Sequence, residues 1–281
     1  MTNALLHYRW NVNATWEHFC GMTREIADVK EARSDVHKQH HLRSVLYFAI
    51  GSIEAFLNEQ MRSKLQVEGK SEDEIFTTLR KTRWVEKSKK WPSELSSTAA
   101  PVPESVIQSV EDLSDLRGEV THPKARDHSI YLELDRIMLA PESVRLTIAE
   151  YIVRTLTALG KPYPFYLHGR VFIGMNGSAH WPIVDTHNQQ FMMALRHIGF
   201  KVPHVLVNEM NAWERACMSS WEGFQEGEVA LANAPCQPRD PDFPFMPRLC
   251  RRWWDDAHVE SCGEERLYPL PRFVKAPPNS A

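Results

Sequence analysis

Hydrophobic side chains recur every three or four residues through most of the first 160 positions, the period of helices that bury one face. Over 11–41, Val12, Trp16, Phe19 and Met22 keep this spacing, while the charges of 22–38 predict a solvated side. An entry helix leaning on a main bundle is expected there. Over 42–65 the stripe is stronger: Leu46, Ile50, Ile53, Leu57 and Met61, widened by Ala49 and Phe56. Ser71-Glu72-Asp73-Glu74 has the order of a capping box and predicts a helix start. That helix carries Ile75, Phe76 and Leu79 and continues to Trp91, after which Pro92, Pro101 and Pro103 are expected to end it in a loop.

The next stripe starts at Glu104 or Ser105 and holds Val106, Val110, Leu113 and Val120, with Arg117 four positions after Leu113. Pro123 disfavours α geometry at His122, so this helix should stop near Val120 or Thr121. Residues 128–139 suit either a strand, through Ile130, Leu132 and Leu134, or a helix. A clearer helix runs over 142–159, with Val144, Ile148, Tyr151 or Ile152, and Leu156 facing inward, and Gly160 stops it.

Beyond 160 the pattern changes. Short strands are expected over 166–173 and 202–207, a helix over 188–197, and turns over 234–247, where proline is frequent. The chain is therefore expected to be mainly α. A four-to-five-helix bundle with an N-terminal extension occupies 1–160, and a smaller α+β or irregular accessory region occupies 161–281.

Composition narrows the classes. At 43% hydrophobic residues the 281-residue chain can bury a sizeable core, and its formal charge of -3 argues against general adhesion to nucleic acid while allowing a local basic surface. The polar opening, His7-Tyr8-Arg9-Trp10-Asn11, does not read as a signal peptide, and no apolar run reaches the length of a membrane span. Five scattered cysteines fit a reduced, cytoplasmic protein without membrane contact. Cys236, Cys250, His258 and Cys262 offer four possible ligands but no close pair to anchor zinc, so no metal and no cofactor is expected.

Two clusters carry candidate chemistry. Between 80 and 91, Arg80, Lys81, Arg83, Lys87, Lys89 and Lys90 stand with Trp84 and Trp91 and a single acid, Glu86. Charge and indole faces together suit RNA binding; equally, such a cluster can be a solvated helix end with its tryptophans anchored in the bundle. The second cluster is Leu116-Arg117-Gly118-Glu119-Val120-Thr121-His122-Pro123. Arginine is a fixed fork of donors suited to phosphate, and histidine exchanges protons near neutral pH. An uninterrupted helix would turn residues five apart away from one another, but a loosened last turn would let His122 swing toward Arg117. Glu54, beside the 42–65 stripe, is either an ordinary boundary residue or a carboxylate that orients Arg117. Arg117 and His122 also admit a plain structural use, as the neutraliser of a carboxylate and a helix-terminal cap.

With Gly51-Ser52-Ile53-Glu54-Ala55-Phe56-Leu57-Asn58-Glu59 upstream and the 142–159 helix closing the set, residues 42–160 resemble a HEPN domain, the higher eukaryotes and prokaryotes nucleotide-binding family. Its ribonuclease members carry an arginine, four to six intervening residues and a histidine after a helix, as Arg117 and His122 do here. The resemblance implies a homodimer in which both pairs line one cleft and cleave RNA without metal. It also implies use as a toxin or defence effector, with an antitoxin or regulatory protein as a further partner. The family often has asparagine after the arginine; Gly118 stands here, and Glu119 is the neighbour left to act electrostatically in its place. The rival expectation is a noncatalytic module of the same fold that binds nucleotide, RNA or protein.

Overall fold

The computed structural model describes residues 7–8, 14–122, 129–169, 215–232 and 268–269. Its backbone is a helical hairpin against which the other helices are laid. α1 (Ala14–Glu31) buries Trp16, Phe19, Met22, Ile26 and Val29, and α2 (Asp35–Val67) returns antiparallel beside it. The entry helix thus stops at Glu31, ten residues short of the range its pattern suggested. Ser34 takes an extended backbone and caps α2, its hydroxyl accepting from the His37 N–H at 3.3 Å. α1 does more than lean on the bundle: its apolar face is part of the core. Close approach of the two helices needs glycine, because a Cβ on Gly51 would lie 2.9 Å from the His18 ring and one on Gly21 3.0 Å from Phe48.

α2 is the axis of the fold and touches α3 (Glu72–Lys81), α4 (Trp84–Ser96), α5 (Glu104–Thr121), α6 (Ser129–Leu139) and α7 (Glu142–Ala158). The capping box at α3 forms as its sequence predicts, Ser71 and Glu74 bonding reciprocally. The single helix expected from Ser71 to Trp91 is instead two, broken where Thr82 and Arg83 take extended backbone angles. Residues 129–139 resolve their ambiguity as helix. α7 buries residues on nearly all its sides, including Val144, Ile148, Tyr151, Ile152, Val153 and Leu156.

Pro92 does not end its helix. It lies inside α4, four residues before the end at Ser96. Proline has no N–H, so the Ser88 carbonyl loses its usual helical donor. The buried Tyr151 hydroxyl takes that place, donating to the Ser88 oxygen at 2.7 Å. A partner on α7 therefore lets α4 continue past a residue that would break an isolated helix.

The fold class needs correction. The expected plan of four to five helices followed by an α+β region gives way, among the described residues, to a helical bundle with more helices than foreseen. Past Gly160, where a strand over 166–173 was expected, a 3-10 turn covers Phe165–His168, and α8 (Trp221–Ala232) follows. The aromatic residues that favour strands are used here for packing: Tyr163, Phe165, Tyr166 and Leu167 join Met218 and Phe224 in the same core as α1, α2 and α7. Among the described residues, β-structure amounts to one two-residue antiparallel ladder, His7–Tyr8 with Tyr268–Pro269. The strand expected at 202–207, the helix at 188–197, the turns at 234–247 and the late cysteines lie outside the described residues. No described helix is long and apolar enough to cross a membrane.

Candidate functional site at the end of α5

Burial fades along α5. Val106, Ile107 and Val110 are in the core, whereas Leu113, Leu116 and Val120 are only partly covered. Arg117 stands in this second half, and the helix ends at Thr121, next to the residue that precedes Pro123. His122 leaves helical geometry, with φ -128° and ψ 70°, while its N–H still donates to the Gly118 carbonyl at 2.8 Å. The chain thus begins to turn away at His122, whose side chain is exposed.

The two side chains are differently placed. Arg117 is partly buried, and its Nε is shielded from solvent with no hydrogen-bond partner. Among the described residues no ion pair or side-chain hydrogen bond reaches its guanidinium; only its backbone carbonyl is used, accepting from Thr121 Oγ1 at 2.8 Å. Nor does any hydrogen bond join Arg117 to His122 within the chain. The swing of His122 toward Arg117 that a loosened last turn would allow is not seen.

Glu54 does not orient Arg117. Its Oε1 accepts from Lys87 Nζ at 3.1 Å, and Asn58 Oδ1 accepts from the same ammonium at 2.9 Å. Lys87 also lies over the Trp91 ring, 5.3 Å from its centroid, and both residues are only 3% exposed. These two members of the expected RNA surface are therefore turned inward as packing, with the lysine charge satisfied by α2. Lys89 pairs with Glu111 at 3.0 Å and Lys90 with Glu86 at 3.0 Å. Arg80, Lys81 and Arg83 remain exposed at the α3–α4 corner without ion pairs among the described residues, beside a half-buried Trp84. The basic surface contracts to this corner. Glu119 is exposed, and a Cβ placed on Gly118 would meet nothing within 4 Å, so a side chain there has room.

Arg117 Nε is one of several shielded polar atoms without partners; Trp84 Nε1 and Glu111 Oε1, on α4 and α5, are others. A buried donor without an acceptor costs about 1–3 kcal/mol.

A further polar cluster, marked by no sequence motif, joins α7 to α8. Arg145, on the buried face of α7, donates to Glu228 Oε2 at 2.7 Å, to Glu142 Oε2 at 2.8 Å and to the Leu167 carbonyl at 2.9 Å. His168 Nδ1 lies 2.6 Å from Glu228 Oε1, and its ring stacks on Phe224 at 4.3 Å. Burial alone would raise the Glu228 pKa, but the His168 and Arg145 hydrogen bonds and charges outweigh it and hold the carboxyl at about 2. An arginine inside an apolar stripe was the available signal, and its main partner lies 83 residues away. Enclosed and mutually satisfied, this cluster is a structural clasp. No family model, curated protein or solved structure matches the chain.

Proposed function

We propose that the chain is a metal-independent endoribonuclease in which Arg117 and His122 from two protomers share one cleft. The observation that carries this reading is the guanidinium of Arg117, shielded at Nε and unpartnered among the described residues. Of the plain alternative, in which Arg117 neutralises Glu54 or another carboxylate and His122 caps the helix, the Glu54 contact is taken by Lys87, while His122 does stand at the helix cap. Since the two side chains are not joined within one chain, pairing across a homodimer supplies what a single protomer lacks. Partly covered Leu113, Leu116 and Val120 give such an interface apolar surface beside the pair.

In this mechanism the RNA 2′-hydroxyl attacks the adjacent phosphorus and the bond to the 5′-oxygen breaks, leaving a 2′,3′-cyclic phosphate. One His122 accepts the hydroxyl proton, the second donates a proton to the departing oxygen, and Arg117 stabilises the nonbridging oxygens. Arg80, Lys81 and Arg83 would hold flanking phosphates. DNA, lacking the 2′-hydroxyl, is not cut. A role as toxin or defence effector restrained by an antitoxin or regulatory protein belongs to the same proposal, as does a cytoplasmic setting.

The test incubates the full chain with mixed RNA and matched DNA in a chelator, beside Arg117→Ala, His122→Ala and Gly118→Asn. RNA alone should be cut to cyclic phosphate ends, and the first two variants should lose at least about 100-fold in rate. Gly118→Asn, filling open space with the side chain common in the family, should cut at least as fast as the parent. Unchanged cleavage by both folded alanine variants would reject the assigned roles. One observation favours a second reading, binding without cleavage: the glycine at 118 removes a phosphate-facing side chain. RNA retained by the parent, released by Arg117→Ala and never cut would establish that reading instead.

A further inference from the structure

Away from the end of α5, one set of metal-donor side chains from two helices stands together among the described residues. Glu25 and Asp28 are three apart on α1, hence on one side of it, and His41 faces them from α2. One carboxylate oxygen from each acid and one imidazole nitrogen all lie within 4.8 Å of one another. His41 Nδ1 and Glu25 Oε2 are 2.7 Å apart. All three residues are half-buried.

We propose that Glu25, Asp28 and His41 bind one divalent cation of the zinc class, clasping α1 to α2, with its remaining coordination positions open to water. A histidine–glutamate pair uses one carboxylate, and Asp28 brings a second to the same corner. The cation beside Asp28 is Arg24, with Nε 4.0 Å away, in an i,i+4 pair open to solvent. Two acids and an imidazole thus share a half-buried corner, and a divalent ion among them would neutralise both carboxylates.

Geometry agrees. Donors about 2.1 Å from a tetrahedral ion are separated from one another by about 3.4 Å. The separations here, from 2.7 Å up to 4.8 Å, bracket that value. An imidazole donor suits zinc and its neighbours in the first transition row, whereas magnesium prefers oxygen donors in a strict octahedron.

The experiment uses the full chain, stripped with EDTA and dialysed, then titrated with Zn²⁺ against a chromophoric chelator with Mg²⁺ present in excess. The parent should take up one equivalent that Mg²⁺ does not displace, and its Tm should rise on loading. His41→Ala and Asp28→Asn, each checked for helicity, should weaken binding by at least about tenfold. Having one variant on each helix keeps the test sound if either fails to fold. Equal zinc affinity in the parent and both variants would place the ion elsewhere and overturn the proposal, as would no uptake by the folded parent. RNA is absent from the titration, so its result and that of the cleavage assay can fail separately.

Discussion

Arg117 is a residue whose chemistry and burial disagree. A guanidinium nitrogen sits out of reach of water without an acceptor, on the thinly packed half of α5. If an anion is its intended partner, the unliganded fold gains little from the charge. Arg117→Met, which keeps an unbranched apolar stem as far as the Nε position and removes the orphaned donor, should leave unfolding stability within about 1 kcal/mol of the parent or raise it. The same variant should lose RNA cleavage. Urea denaturation measures the first effect; a loss of several kcal/mol there would make the arginine a structural strut. Lys87 shows the opposite balance. Its position in a basic run promised a phosphate contact, but the run's sequence could not say which side of α4 would face α2. Two oxygens on α2, from Glu54 and Asn58, decided it.

At the scale of elements, the long stripes were legible. The periodic apolar positions of α2 and α7 mark both helices, and the Ser71–Glu74 box marks the start of α3 because its bonds are local. Features set by distant partners were hidden. The passage of α4 through Pro92 depends on Tyr151, 63 positions beyond Ser88, and no local pattern announces it. Tyr151→Phe should therefore cost about 1–3 kcal/mol, since it strands a buried carbonyl. Pro92→Ala restores a helical N–H to that carbonyl, so the tyrosine change should cost less in a Pro92→Ala background. A double-mutant cycle by urea unfolding reads the difference. Equal costs in both backgrounds would separate the hydroxyl from the proline. At the end of α5, the stop at Thr121 was readable from Pro123, whereas the isolation of Arg117 from His122 was not. Sequence spacing fixes the rotation of an ideal helix but says nothing of which carboxylates other lysines have already taken.

For the molecule as a whole, the Arg145–Glu228–His168 clasp binds α8 to the bundle and gives stability a defined response to acid. The Glu228 carboxyl is held at about 2, below its ordinary value of 4.5. A lowered folded-state pKa contributes stability that is present above the unfolded value and disappears as pH falls through the folded one. Unfolding free energy should accordingly drop between about pH 4.5 and pH 2, with Glu228 supplying at most roughly 3 kcal/mol of the change. Glu228→Gln should be less stable at neutral pH and should show a shallower fall across that window. Denaturant melts at a series of pH values measure both. Parallel curves for parent and variant would remove Glu228 as the source.

The enclosure of Lys87 also supplies a reporter. An amine-reactive reagent should label exposed Lys81 and Lys90 at once and reach Lys87 only when α4 lifts from α2. The rate at which that single amine is modified is then a clock for local opening at the helix that follows the basic corner.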